Sequence, residues 1–202
     1  MMKFVYNSAM GTEKEPSIIA FSTAKIWREW LEENHCLSSG IWLRFFKKDS
    51  GTVSVTYDEA LDEALCYGWI DGQLQKYDEK SWLRKFTPRR PRSIWSNWNK
   101  EHVKRLTAAG KMQPAGLKEV SIAKEDGRWE AAYDSASTMT IPKDFLEELS
   151  KNSQAKAFFD TLNKANVYAI AWRLQTAKKP ETRQKRLRMI VDMLAEEEKF
   201  HE

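Results

Sequence analysis

The chain is short of the residues that build cross-linked or metal-stapled frameworks, with two cysteines, three histidines, six prolines and eight glycines among 202 residues. Two cysteines exclude a disulfide framework, and Cys36 and Cys66 lack the paired spacing of a zinc site, so both read as reduced structural thiols. No apolar run approaches the ~20 residues that cross a bilayer. The opening MMKFVYNSAMGTEKEP is charged too early, and its apolar stretch is too short, for a signal peptide. The expectation is a soluble, cytoplasmic chain without membrane insertion. Among His35, His102 and His201, none forms an assignable Ser-His-Asp or Cys-His arrangement. A phosphate-cradling glycine loop, an internal repeat and a low-complexity linker are all missing. Catalytic residues therefore stay unknown, and nothing calls for a metal or a cofactor.

What is present is a large apolar complement, 42% hydrophobic and 12% aromatic, and one concentrated block of positive charge. Between Trp82 and Lys118 stand Arg84, Lys85, Arg89, Arg90, Arg92, Lys100, Lys104, Arg105, Lys111 and Lys118 against one acid, Glu101. That is a local net charge of +9 in a chain whose total is +4. Trp82, Trp95 and Trp98 lie in the same stretch. Fixed guanidinium charge beside flat aromatic surface suits a phosphate- or carboxylate-bearing partner. Two readings stand side by side: an anion-binding surface, or internal neutralisation by Asp58, Glu59, Asp62 and Glu63 together with Asp71, Asp78 and Glu79.

Pattern and punctuation predict an α+β fold: a small, mostly antiparallel sheet with packed helices, followed by a helical C-terminal module. Lys3–Tyr6, Ser17–Phe21 and Gly40–Lys47 read as strands, and Thr23 or Ser22 caps a helix over Ala24–Asn34. Asp49-Ser50-Gly51 followed by Val53-Ser54-Val55 predicts a hairpin back onto the third strand. Thr56 and Glu59 form a capping box for a helix ending at Gly68, and strands follow at Trp69–Lys76 and Ser81–Phe86. Thr87-Pro88-Arg89-Arg90-Pro91 marks a break before helices over Asn97–Ala109 and from Pro114 to Gly127. Further helices are expected at Pro142–Ser150, Gln154–Leu162, Lys164–Lys178 and Glu181–Glu198. The loop at Ser135-Ala136-Ser137-Thr138 divides the chain into a core domain, 1–134, and a helical module, 135–202.

Several strings resemble a known family. They are Gly68-Trp69-Ile70-Asp71-Gly72, Thr87-Pro88-Arg89-Arg90 with Ser93, Trp95, Ser96 and Asn99, then Pro114-Ala115-Gly116-Leu117 and Asp126-Gly127-Arg128-Trp129 with Ala132-Tyr133-Asp134. Near the C-terminus Pro142, Asp144, Ala177-Lys178-Lys179 and Glu181-Thr182-Arg183 with Lys185-Arg186 are similar to that family's helical module. The family is the YdeI/OmpD-associated, or bacteriocin-protection, family, and the resemblance runs from about Phe21 onward; Trp98 beside Asn97 departs from it. It implies a part in surviving bacteriocins or membrane-active peptides, in a phenotypic rather than a chemical sense, and carries over no catalytic residue or cofactor.

From the residues themselves, Arg89 and Arg90 sit in a Pro-bounded loop ahead of a helix whose first amides, near Ser96 and Asn97, favour bound anions. With Asn99 they form a candidate binding set, and Trp95 and Trp98 either stack a base or pack in the core. Asp71, beside Gly72, is the candidate acid or base should the protein be an enzyme acting on an anionic small molecule. A second basic cluster, Arg183 and Arg186, borders the buried stripe of the last helix and either anchors the module or meets ligand. The leading expectation is an uncharacterised stress- or bacteriocin-resistance factor binding a phosphorylated ligand or nucleic acid. The alternatives are that enzyme and a protein-interaction module meeting an acidic partner.

Overall fold

The computed structural model describes residues 16–135 and 138–201, together with the backbone of 4–6. Contacts divide the chain into two compact units, Met1–Ser93 with Asn99–Glu130, and Ile94–Trp98 with Ala131–Glu202.

The first unit is built on a five-stranded mixed sheet in the order β1-β2-β3-β5-β4, with β1 (Phe4–Tyr6), β2 (Ile18–Ala20), β3 (Ile41–Phe46), β4 (Trp69–Lys76) and β5 (Ser81–Pro88). Only the β2–β3 pair is parallel. Along β3, Ile41, Leu43 and Phe45 are buried while Trp42, Arg44 and Phe46 are half-buried, the two-residue period that gives one strand two unlike faces. The hairpin expected at Val53–Val55 does not form: β2 pairs with Trp42 and Leu43 only, and beyond them Phe46 N donates to the Ser54 hydroxyl at 3.1 Å instead of to a strand partner. A 3₁₀ turn at Lys48–Ser50 ends on Gly51 at φ 74°, and Val55 instead donates its amide to Phe21 O at 2.9 Å. Strand β5 also outlasts the expected break at Thr87. Pro88 closes it opposite Trp69, a terminal place where a missing N–H costs little.

Helices α1 (Ala24–Asn34) and α2 (Tyr57–Cys66) pack against each other and carry the aromatic core. Trp27 and Leu31 are fully buried, and Trp27 lies within ring-contact distance of Trp30, Trp69, Phe21 and Phe86. The indole N–H of Trp27 donates to Ala60 O at 3.0 Å and that of Trp69 to His35 O at 3.1 Å, so neither polar tip is stranded in the core. The capping box forms as the sequence predicts: Glu59 N donates to Thr56 Oγ1 at 3.4 Å and Thr56 N to Glu59 Oε2 at 2.9 Å. Hydrogen bonds from the Thr56 backbone and then its hydroxyl hold the Glu59 carboxyl below its ordinary range near 4.5. A depressed carboxylate stabilises the fold above its ordinary value and loses that contribution as pH falls through the lowered one. Thr56→Ala is therefore expected to cost about 1 kcal/mol at neutral pH, with the difference shrinking below pH 4 in paired urea melts.

Helices α3 (Asn97–Ala108) and α4 (Pro114–Glu125) follow. Residues from Asn99 onward belong to the first unit, whereas Ile94–Trp98 belong to the second. Gly68, at φ 75°, ends α2, and Gly116 of α4 sits against the last carbonyls of that helix.

The second unit contains α5 (Lys143–Leu149), α6 (Ser153–Phe159), α7 (Lys164–Gln175) and α8 (Pro180–Ala195). Its core is Phe145, Leu149, Ala155, Ile170, Leu174, Leu187, Ile190, Val191 and Leu194, the 3.6-residue stripes of α7 and α8 closed by α5 and α6. Segment 94–98 is stitched to residues 133–134. Tyr133 donates its amide to Trp95 O at 3.0 Å, Asn97 donates its own to Tyr133 O at 2.8 Å, and Asn97 Nδ2 donates to Asp134 Oδ1 at 2.8 Å.

Candidate anion-binding surface

Antiparallel pairing of β4 with β5 sets Asp71 opposite Phe86 and Ile70 opposite Thr87. A bulge between Asp71 and Leu74 then shifts the register, and the Asp71 carboxylate meets the next inward side chain, Arg84. Asp71 Oδ2 accepts from Arg84 Nε at 2.9 Å, from Arg84 Nη2, and from the Tyr57 hydroxyl at 2.9 Å. The Arg84 guanidinium also lies 5.3 Å from the Tyr57 ring centroid. Burial, reinforced by the adjacent Asp71 carboxylate, raises the Tyr57 hydroxyl well above its ordinary range, so it stays a proton donor. Asp71 thus serves as counter-ion to Arg84 in a half-buried knot. Sequence reasoning did not foresee Tyr57 as a partner, because the three residues meet only through strand register and the packing of α2.

The loop after β5 is ordered by its own backbone. Arg89 N donates to Gly68 O at 3.0 Å, Ser93 N to Arg90 O at 2.8 Å, and Arg90 N to Ser93 Oγ at 3.0 Å. From the same unit, Arg128 Nη1 donates to Ser93 O at 2.9 Å while its Nε is held by Asp126 at 2.6 Å. This turn turns two neighbouring arginines in opposite senses: Arg89 is 6% exposed, and Arg90 and Arg92 are exposed on either side of Pro91. Asn99 is buried in α3. In the second unit Trp95 is 2% exposed and Trp98 51% exposed, so the two tryptophans that helical spacing put on one face have different surroundings. The start of α3 is not an open set of amides either, since Asn97 N is already given to Tyr133 O.

The basic block is neutralised only in part. Arg84 is paired with Asp71, Arg105 with Asp62 at 2.7 Å and Lys104 with Glu101 at 2.8 Å. Other acids that were candidates for the block are engaged elsewhere, Glu63 by Arg28 and Asp78 by Arg44, each at 2.7 Å. Among the described residues, Lys85, Arg90, Arg92, Lys100, Lys111 and Lys118 have no acid within ion-pair distance. Of these, Lys85 lies 5.7 Å from the Trp42 ring centroid, and Lys100 donates to Trp129 O at 2.9 Å.

Two further groups resolve into structural roles. His102 is buried with Nδ1 2.6 Å from Asp62 Oδ1, and Arg105 Nη2 donates to both Asp62 oxygens, at 2.7 and 2.8 Å. Burial pushes the Cys66 thiol up to about 11, which leaves it protonated and unreactive at neutral pH. In the second unit Arg183 pairs with Asp144, and Arg186 donates to Arg173 O at 2.7 Å, ties that join α8 to α5 and α7. A concavity of about 830 Å³ in that unit is lined by α8, from Pro180 through Lys185 and Arg188 to Asp192, and is an open helix face. Among the described residues no group of three His, Cys, Asp or Glu is arranged to hold a metal, and no helix is long and apolar enough to cross a membrane.

Residues 19–119, half of the chain, match the family model described as Domain of unknown function (DUF8412). The chain belongs to that family. Residues 138–197 match the model Bacteriocin-protection, YdeI or OmpD-Associated, the family that the C-terminal strings around Pro142 and Glu181-Thr182-Arg183 resemble. The DUF8412 match takes in strands β3 to β5, the Asp71–Arg84–Tyr57 knot and the exposed arginines, while the YdeI/OmpD-associated match spans α5 to α8. No curated protein and no solved structure matches the chain.

Proposed function

We propose that this YdeI/OmpD-associated protein is a cytoplasmic stress- or bacteriocin-resistance factor that holds an anionic partner, a phosphorylated molecule or a nucleic acid, without catalysing a reaction. The observation that carries this reading is the set of six cations of the basic block with no acid in ion-pair reach among the described residues. Arg90 and Arg92 are the best placed of them. Guanidinium forks suit bidentate phosphate or carboxylate contact, and a loop already pinned by Ser93 and Arg128 loses little further freedom on binding. In this reading the buried Arg89 supports the loop and does not meet the ligand. Asp71 is engaged by Arg84 and Tyr57, which favours binding over acid–base chemistry at this place.

The test is a titration of intrinsic tryptophan fluorescence with a short single-stranded oligonucleotide and with inorganic tripolyphosphate, each at low and moderate salt. Arg90→Ala with Arg92→Ala is expected to weaken binding about tenfold and to reduce the salt dependence by roughly one unit of slope per cation removed, with an unchanged circular dichroism spectrum. Unaltered affinity and slope would remove the loop from the site. Binding of neither anion would leave an acidic protein as the partner of the exposed cations.

A further inference from the structure

We propose that the sheet face turned away from α1 and α2 is a stacking platform for single-stranded nucleic acid, centred on Trp42, Lys85 and Tyr77. This deepens the anion-binding reading by naming the partner, and it rests on a different set of residues from the arginine loop. The two faces of the sheet are distinguished by register. Ile41, Leu43 and Phe45 of β3 pair with Phe86, Arg84 and Trp82 of β5, and this is the face on which Trp27 and Tyr57 pack. The alternate residues point the other way. There Trp42 stands opposite Lys85 and Phe46 opposite Ser81.

On this second face, half-buried aromatic rings and cations flank Leu83 and Ser81, which are themselves buried. Lys85 Nζ lies over the Trp42 ring, 5.7 Å from its centroid, so a base stacking on that face takes the place of the flexible ammonium, which then meets the phosphate. The Arg44 guanidinium is layered between Phe46, at 4.5 Å, and Tyr77, at 4.6 Å, and is fixed by Asp78 and Ser81. Tyr77 is 41% exposed and closes that stack on its outer side. Trp42 and Phe46 are four residues apart, roughly 13 Å along a strand at ~3.3 Å per residue. Two aromatic stations on one sheet, Trp42 and the Phe46–Arg44–Tyr77 stack whose outer ring is Tyr77, suit an extended strand with splayed bases better than a stacked duplex, whose bases face inward.

The charge at both ends of the path agrees with this occupant. Lys85 lacks an acidic partner among the described residues, β5 runs on toward the exposed Arg90 and Arg92, and at its start Lys47 N bonds Lys80 O at 2.9 Å, which places two exposed lysines side by side. Asp78, at the same end of the sheet, is committed to Arg44. Every base offers a π-face, so such a platform binds with little sequence preference.

Fluorescence anisotropy of the full chain with a labelled twelve-nucleotide single strand, and with the duplex of the same sequence, tests the assignment. The single strand is expected to bind at least tenfold more tightly than the duplex. Trp42→Ala is expected to weaken single-strand binding about tenfold or more, close to what one stacked base contributes. Trp42→Phe should keep most of the affinity, which separates lost stacking from lost folding, and Lys85→Glu should weaken binding without altering the thermal melt. If Arg90→Ala with Arg92→Ala weakens binding while Trp42→Ala and Lys85→Glu leave it unchanged, the platform is wrong and the loop reading survives. Equal affinity for single strand and duplex would also overturn the platform.

Discussion

Gly116→Ala is expected to destabilise the first unit by about 3 kcal/mol or more, the upper end of what overpacking costs in a closely fitted interior. A Cβ at this position would stand 2.3 Å from the Cys66 carbonyl oxygen and 2.6 Å from that of Leu65. Both are backbone atoms at the end of α2, so no side-chain rotation relieves the clash. The helices cannot simply separate either, because Gln113 N is bonded to Cys66 O at 3.1 Å, and Gly68 is close to the Ala115 carbonyl on the same crossing. Thermal unfolding should show a midpoint lower by roughly 6 °C or more for a chain of this size. Leu117→Ala, one residue on and exposed, is the control and should shift it little. A small effect from Gly116→Ala would mean that α4 does not lie against the end of α2 at this distance.

Asp71→Ala should cost about 3 kcal/mol, for a different physical reason. It leaves the Arg84 guanidinium without its carboxylate and the Tyr57 hydroxyl without its acceptor, in surroundings where the two ionic side chains are only 12% and 24% exposed. Removing one partner of such a pair is worse than removing both, so Asp71→Leu combined with Arg84→Met should recover much of the loss. Tyr57→Phe, which deletes one hydrogen bond, should cost nearer 1 kcal/mol. A double-mutant cycle on Asp71 and Arg84 in urea is the measurement, and a coupling of at least about 1.5 kcal/mol is the expected result. Near-additive effects, with stability barely altered by Asp71→Ala, would show that the carboxylate is not needed to hold Arg84. Asp71 would then again be open to a role as acid or base.

The strand and helix pattern was legible because it depends on near neighbours. Thr56 and Glu59 are three residues apart, Ile41 to Phe46 alternate, and Leu187, Ile190, Val191 and Leu194 repeat with the helical period. The hairpin at Val53–Val55 failed because turn chemistry at Asp49–Gly51 is a local signal, whereas the Val55 amide is taken by Phe21, a residue distant in sequence. The candidate site shows the same division. The basic block and its arginines were visible as composition, yet the opposite burial of Arg89 and Arg90, and of Trp95 and Trp98, follows from a loop closed by Ser93 and Arg128 and from a segment stitched to Tyr133.

By itself, then, the sequence determined the class of fold, the C-terminal YdeI/OmpD-associated module and the concentration of charge between Trp82 and Lys118. Only the tertiary structure decided which of those charges are neutralised and which aromatic rings share a face with a free cation. The acids that meet Arg28, Arg44 and Arg105 lie 35, 34 and 43 residues away. Pairings at that range depend on strand register and helix packing, which follow from burying the whole apolar surface at once and are written in no single stretch of the chain.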